Sequence, residues 1–315
     1  MRIAAALAAA VVLACGGADA PEPSDGARVV RLATWNVHDL FDEVDRAAPP
    51  GAQDLVPTHA EVEAKLARVG AVVGTLDADV VALQEVENLD LLRRLAQGPL
   101  AGLGYDAFLV EGGDPRGIDV GVLSRVPVLR WVSHLGDRAA DGAPLFARDL
   151  AEVHLGVGRA EVVLVAAHLV SRLDPSKDGR RREQAARARA VVDALAGSPA
   201  RPLVVLMGDL NDLADGWPLA PLLADRGLAD LGATLGPAGW TWAGGGRRER
   251  IDYALVPRAQ ASTVASVQVV AGTEVEAASD HRPLVVDLWL GPAGASQPSG
   301  GQTTSGLARY DLWIP

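Results

Sequence analysis

The chain has one cysteine, Cys15, in 315 residues, so no intrachain disulfide can form and packing and hydrogen bonds must hold the fold. Aromatic residues are scarce, at 4%; with Ala, Gly and Arg abundant, this reads as coding bias rather than mechanism. There is no internal repeat, which excludes a solenoid, and no glycine-rich nucleotide loop, which excludes the common loop designs for cradling phosphate. Excess positive charge is missing too. The formal net charge is −11, so no global field would coat the protein in nucleic acid, although a local basic patch can still bind phosphate. The apolar run from Ile3 to Ala14 is too short to cross a bilayer. What is present is 49% hydrophobic content, enough for a sizeable core in one large domain or two small ones.

The N-terminus carries its own signals. Met1-Arg2 is a short basic start, and the run after it suits the apolar stretch of a signal peptide. Val12-Leu13-Ala14-Cys15 resembles a bacterial lipobox, with Leu13 where a smaller side chain is commoner. The resemblance implies cleavage before Cys15 and lipidation of its thiol, which would anchor the protein to a membrane of the cell envelope. The competing reading is an ordinary secretory signal with an incidental cysteine. Residues 1–15 are therefore read as a signal peptide with lipobox and 16–28 as a flexible tether. Residues 29–290 form the folded domain, and 291–315 are a low-complexity tail that closes on the apolar Tyr310 to Pro315.

Within the domain, Val29 to Thr34 reads as a strand ending at Trp35-Asn36, and 42–58 as a loop rich in Asp, Pro and Gly. Thr58 with Glu61 forms a capping box. Val62, Leu66, Val69, Val72, Val73 and Leu76 follow at helical spacing. Asp79 to Leu83 is a short buried strand that delivers Gln84-Glu85, and Asn88 to Leu95 is a second helix. Strands are expected at 119–123, 147–155, 161–169, 203–207, 251–256 and 283–290, with helices at 180–195 and 219–223. Many strands with few helices, joined by connections too short for crossover helices, predict mixed or antiparallel sheets with flanking helices.

Short polar clusters end or interrupt these apolar runs: Thr34-Trp35-Asn36-Val37, Leu83-Gln84-Glu85-Val86, Gly208-Asp209-Leu210-Asn211-Asp212 and Ser279-Asp280-His281-Arg282. Buried polar groups must find partners, so the pattern is costly for a fold. It is sensible for holding a divalent cation against a phosphate and activating water. Singly, each cluster has a plainer reading: a turn, a solvated acid, a helix cap or a satisfied core histidine. Their joint occurrence, in order, carries the argument.

That ordered set of Asn36, Glu85, His168, Asp209 with Asn211, Asp252, and Asp280 with His281 resembles the endonuclease/exonuclease/phosphatase superfamily over roughly 31–290. Three stretches, Trp35 to Asp42, Asp114 to Val120 and Arg181 to Ala185, are similar to a bacterial subgroup. The resemblance implies a four-layer α/β sandwich of the DNase I-like kind, two mixed β-sheets face to face with helices outside. It implies that Asn36, Glu85 and Asp280 hold magnesium or manganese. Asp209 would orient a water and Asn211 would donate to a phosphate oxygen. His281 would be the catalytic histidine with Asp252 as its carboxylate partner, and His168 a second histidine near the phosphate with Asp119 as its candidate partner. Arg148 falls where the family often contacts phosphate; a surface arginine on an edge strand is the equal alternative. The subgroup often has Lys where Val170 stands, and Arg172 is the candidate substitute. Gly208 would permit a tight turn.

His38, His59, His134, His154, Asp77 and Asp79 are given no catalytic role, and Asp212 is read as a turn residue. Arg180 to Arg182 with Arg187 and Arg189, and Arg247, Arg248 and Arg250, are either solvated faces or phosphate-backbone patches flanking one cleft. The expected function is a metal-dependent phosphoesterase, first of all a nuclease-type phosphodiesterase acting as a monomer on nucleic acid at the envelope. A lipid or inositol phosphate phosphoesterase comes second. A non-catalytic scaffold lipoprotein is the reading of another class.

Overall fold

The computed structural model describes residues 28–44, 56–224 and 227–291. The expected lipobox with Cys15, the expected tether up to Ala27, residues 45–55 of the expected loop, and the expected tail after Gly291 lie outside the described residues.

The elements run β1 (Arg28–Leu40), α1 (His59–Leu76), β2 (Val80–Val86), α2 (Leu89–Gln97), β3 (Asp106–Leu109), β4 (Asp119–Ser124), β5 (Val128–Val132), β6 (Ala151–Val157) and β7 (Ala160–His168). They continue with α3 (Asp178–Ala196), β8 (Leu203–Asp209), α4 (Ala220–Leu223), β9 (Ala229–Asp230), β10 (Trp242–Gly244), β11 (Arg247–Glu249), β12 (Asp252–Val256), β13 (Val264–Val269), α5 (Thr273–Ala278) and β14 (Leu284–Leu290). One six-stranded sheet has the order β13-β14-β1-β2-β4-β3 and the other β5-β6-β7-β8-β12-β9, while β10 and β11 form a separate hairpin. Each large sheet contains one parallel pair, β1–β2 or β7–β8, among antiparallel ones. Both are mixed, as expected.

Strand alternation builds the layers, because successive side chains point to opposite faces. On β1, Val30 and Leu32 enter the apolar seam between the sheets, against Val153, Leu164 and Met207. Ala33, Trp35 and Val37 face the other way, into a core with Val62, Leu66 and Val69 of α1 and Leu91 and Leu95 of α2. On β8, Val205 and Met207 enter the seam while Val204 and Leu206 pack under Ala185, Ala188 and Val192 of α3. The result is helices, sheet, sheet, helices. Central strands are buried on both faces, which explains why they read as unbroken apolar runs.

The capping box forms: the Thr58 hydroxyl accepts from Glu61 N at 3.4 Å and the Glu61 carboxylate accepts from Thr58 N at 2.8 Å. Such caps contribute about 1 kcal/mol to a helix start. Arg28, expected in the tether, already pairs with Leu290 in the sheet. The expected strand at 147–155 starts only at Ala151, because Phe146 and Leu150 leave the sheet to pack in the α3 layer.

The basic helix face is corrected. Arg181 is 2% exposed and bonded to Asp212 Oδ2 (2.9 Å), Asp178 Oδ1 (2.5 Å) and the Val170 carbonyl (3.3 Å). It ties the start of α3 to the loop after β8, and Asp212 is its buried counterion as well as a turn residue. Arg180 pairs with Asp141, Arg187 with Asp137 and Arg189 with Asp193. Removing one partner of a buried pair strands the other charge at a cost of about 3–5 kcal/mol. Arg181→Ala should therefore lower Tm by roughly 10 °C in a thermal melt. Arg180→Ala, which breaks an exposed pair, should cost less than about 1 kcal/mol.

Glu152 sits between two histidines on β6 and the loop before it. His154 Nε2 is 2.7 Å from Oε1 and His134 Nε2 3.4 Å from Oε2, while Glu161 and Asp137 take the other ring nitrogens. Burial alone would lower both imidazole pKa values, but these carboxylates outweigh it and raise them above the ordinary value. The resulting stabilisation is full below the unfolded imidazole pKa of about 6.5 and fades as pH climbs through the raised folded values. In urea titrations, wild type should lose stability between pH 6 and 9 faster than the His134→Gln/His154→Gln double variant.

Candidate active site

Strand register places the polar clusters side by side. In the parallel pair β7–β8, His168 lies opposite Asp209, and in the antiparallel pair β8–β12, Asp252 lies opposite Asp209. Three strand ends thus deliver three ionisable side chains in a row. Gly208 makes the approach possible: its φ is +145°, and a Cβ there would stand 1.9 Å from the Ala167 carbonyl oxygen. It serves close strand approach within β8, not the tight turn expected there. From the other sheet, β1 and β2 are in register up to Asn36 and Gln84, then skip to Leu40 and Val86. In that irregularity His38, Asp39 and Glu85 all take positive φ, an arrangement that costs backbone energy and re-aims side chains. Trp35 Nε1 donates to the His281 carbonyl (3.0 Å), fixing the last segment against the first strand.

His281, Asp252 and Asp209 are 5%, 0% and 2% exposed. His281 Nδ1 bonds Asp252 Oδ2 at 2.9 Å, which leaves Nε2 3.9 Å from Asp209 Oδ2. Burial alone would lower the imidazole pKa, but the charge and hydrogen bond of Asp252, with Asp209 and Asp280, push it up to about 10. Asp209 moves the other way for a carboxylate, up to about 7, through burial and the nearby Asp252 charge. The pair is an imidazolium beside a carboxyl poised near neutrality.

Glu85 and Asn36 lie across from it. Asn36 Nδ2 donates to Asp209 Oδ2 (3.0 Å) and Glu85 Oε1 (3.3 Å), and Asn36 Oδ1 accepts from His38 N (2.9 Å). Burial opposes ionisation of Glu85, yet positive charge at His168 (when protonated) and at Arg116, with side-chain hydrogen bonds from Asp39 and Asn36, outweighs it and holds the carboxyl at about 2. Because burial and Arg148 drive His168 well below the usual imidazole value, Arg116 and the hydrogen bonds do this work at neutral pH. Asp280 Oδ1 takes a 2.6 Å bond from His38 Nδ1 and Oδ2 a 2.9 Å bond from Trp242 Nε1. Carboxylate and amide oxygens of this kind suit a hard divalent cation. The oxygens of Glu85 and Asn36 also accept hydrogen bonds, from Asn36 Nδ2, Asp39 N, Arg116 and His38 N, so each of the three would offer a cation its remaining lone pairs. Among the described residues, one group of three or more His, Cys, Asp or Glu gathers its ligand atoms within 4.8 Å, namely Asp209, Asp252 and His281. There His281 Nδ1 is already bound to Asp252, an arrangement that leaves Nε2 free for proton transfer.

His168 is 3% exposed, with Nε2 3.2 Å from Arg148 Nη1 and 3.6 Å from Asp209 Oδ2. Its Nδ1 has no hydrogen-bond partner. The expected pairing with Asp119 is therefore not made. Asp119 Oδ1 instead accepts from Gly112 N at 2.9 Å, and burial, with Asp114, Glu111 and Asp149 nearby, pushes its carboxyl up to about 7. Arg148 is no edge-strand surface residue. It is 7% exposed, anchored on the Leu169 carbonyl (2.9 Å), and lines the cavity. Asn211 takes a positive φ and is anchored by Nδ2 on the same carbonyl (3.0 Å).

These groups face a cavity of 260 Å³ whose lining includes Asn36, Glu85, Asp209, Asn211, Asp280 and His281. Arg116, Arg172 and Arg247 stand on its walls. Arg172 pairs with Glu249 of the hairpin. Of the second arginine cluster only Arg247 reaches the cavity; Arg248 covers Trp240 and Arg250 pairs with Asp230. Sequence reasoning missed His38, Trp242 and Arg116. A polar residue two positions after Asn36 inside an apolar strand was the available signal for His38, and Arg116 lay within the Asp114 to Val120 stretch already singled out.

No curated protein sequence matches the chain significantly. Among solved structures, an endonuclease/exonuclease/phosphatase from Beutenbergia cavernae DSM 12333 is 26% identical, with TM-score 0.57 over 85% of this chain and 73% of that one. TDP2 from D. rerio, complexed with single strand DNA product, is 19% identical, with TM-score 0.57 over 82% and 98%. The human Nocturnin catalytic domain with bound sulfate anion is 15% identical, with TM-score 0.60 over 82% and 93%. The last two likenesses concern the fold. The family model described as Endonuclease/Exonuclease/phosphatase family matches residues 33–281, from the first strand to the buried histidine, and the chain belongs to that family.

Proposed function

We propose that the protein is a divalent-metal-dependent phosphodiesterase that hydrolyses nucleic acid. The observation that carries this reading is the Asp209 carboxylate, held by Asn36 Nδ2 at 3.0 Å and flanked by His168 Nε2 at 3.6 Å and His281 Nε2 at 3.9 Å, at the floor of a small polar cavity. Glu85 and Asn36, with Asp280 beside them, would hold magnesium or manganese, which when bound supplies charge neutralisation to a phosphoryl oxygen. Asp209 is placed to orient a water and accept its proton. His281, fixed by Asp252 on one nitrogen, presents the other as a donor toward phosphoryl oxygens as negative charge grows. Arg148 and Asn211 border the same volume.

Arg116, Arg172 and Arg247 at the walls supply the sequence-independent positive charge that a phosphate backbone needs. The D. rerio TDP2 relative, with its DNA product, supports the nucleic-acid choice. The lipobox at Val12 to Cys15 supports a place at the cell envelope, where that substrate would be extracellular.

The test incubates the protein with DNA, RNA, sphingomyelin and inositol phosphates, in magnesium and in EDTA. DNA or RNA should be cut, EDTA should abolish turnover, and His281→Ala should lower kcat by roughly 10²–10⁴-fold. Asp252→Asn should also lose activity, whereas Asp119→Asn, which keeps the acceptor for Gly112, should stay close to wild type. Turnover of sphingomyelin or inositol phosphates alone would move the substrate class, and turnover of nothing at high protein would favour a scaffold. In a separate test, labelled palmitate should enter the wild-type protein in a bacterial host and be lost in Cys15→Ser; label that survives the substitution removes the anchor.

A further inference from the structure

Lys65 belongs to α1, outside every cluster described above, yet its side chain ends at the active site. The ammonium donates to the His38 carbonyl at 2.8 Å and to the Ala278 carbonyl at 2.7 Å. Both acceptors lie in irregular backbone. His38 sits where the β1–β2 pairing skips from Asn36 to Leu40, with φ of 53°. Ala278 is the last residue of α5, where carbonyls lack helical partners. The segments that these carbonyls begin or end carry the reacting groups: Asn36 two residues before His38, and Asp280 and His281 just after Ala278. Ser279 makes a second stitch, its hydroxyl donating to the Asn36 carbonyl (2.8 Å) and accepting from His281 N (3.0 Å). Asp39, Asp280 and Glu85 all lie within electrostatic reach of the ammonium.

We propose that Lys65 is a positioning residue of the hydrolytic site, whose ammonium ties the His38 carbonyl to the Ala278 carbonyl and so fixes Asn36 relative to Asp280 and His281. The two segments come from opposite ends of the chain, and little regular hydrogen bonding joins them at this level. A three-donor ammonium on a long stem can bridge two carbonyls from separate segments. The residue does not line the active-site cavity; it acts through the backbone that carries the lining groups. The kinetic part of the inference rests on the proposed phosphodiesterase activity, and the structural part does not.

The test compares full-length wild type with Lys65→Met, which keeps the stem and loses the donors, and Lys65→Arg, which restores charge and donors. Arg68→Met, an exposed change one turn away, is the control. Hydrogen exchange is followed in peptides spanning 34–41 and 276–283, alongside kcat and KM on DNA with magnesium. In Lys65→Met, exchange in both peptides should speed up roughly tenfold or more while the central strands stay protected. Its kcat should fall roughly tenfold or more, as for lost supporting contacts elsewhere, with KM within about twofold. Lys65→Arg should recover part of both losses. Unchanged exchange in the two peptides, or kcat within about twofold of wild type, overturns the proposal. If wild type itself hydrolyses nothing, the phosphodiesterase reading falls and exchange alone decides the tether. Should Lys65→Met fail to fold, Lys65→Gln is read by the same criteria.

Discussion

A carboxylate that is 2% exposed, as Asp209 is, must be met by donors or opposite charge, or it will take up a proton. Asp209 receives one amide hydrogen from Asn36 and one backbone hydrogen from Asn211 N, and has the His281 imidazolium beyond. The supply is incomplete, and its carboxyl titrates near neutrality as a result. The rest of the rim follows from this deficit. His281 must be charged, which needs the fully buried Asp252 behind it, which in turn needs its backbone N held by Thr241. His168 is kept neutral first by burial and then by the Arg148 charge on its Nε2 side. One buried rim thus holds one histidine charged and the other neutral, the first through the Asp252 and Asp209 charges and the second through burial and Arg148.

The same rim concentrates backbone strain. His38, Asp39, Glu85 and Asn211 are non-glycine residues with positive φ, and all four border the site. Each costs energy that the two packed sheets behind must outweigh. The sheets are suited to that load: β1, β2, β7 and β8 are buried on both faces, so their ends are held by continuous packing. Rigid strands supply position, and the strained ends turn side chains off the ladder toward a common volume.

Much of this was legible in the residues. The central strands, α1 with its capping box, and the polar clusters at strand ends could be read because each rests on local chemistry: apolar runs, a Thr–Glu spacing, carboxylates where a core should be. What escaped was set by neighbours remote in sequence. β5 and β13 are half-exposed edge strands whose mixed faces, Val-Leu-Arg-Trp-Val and Val-Ala-Ser-Val-Gln-Val, give no clean alternation. Arg181 looked like one of a run of helix arginines, and only the loop after β8, which brings Asp212, shows it to be core. Asp119 is matched to His168 by its place in the Arg116 to Val120 stretch, whereas its bond goes to Gly112. His38 matches no catalytic position of the family, and its partner, Asp280, lies at the far end of the domain, where sequence spacing gives no sign of it.

The pairing of β1 with β14, and of Trp35 with the His281 carbonyl, joins the beginning of the domain to its end. During synthesis, β1 leaves the ribosome with one flank open until the final strand arrives, exposing an edge that invites wrong partners. A polypeptide released early, anywhere before residue 280, lacks the imidazole as well as the covering strand. Hydrolytic competence would then be confined to molecules translated through β14, and those terminated before it would be inert.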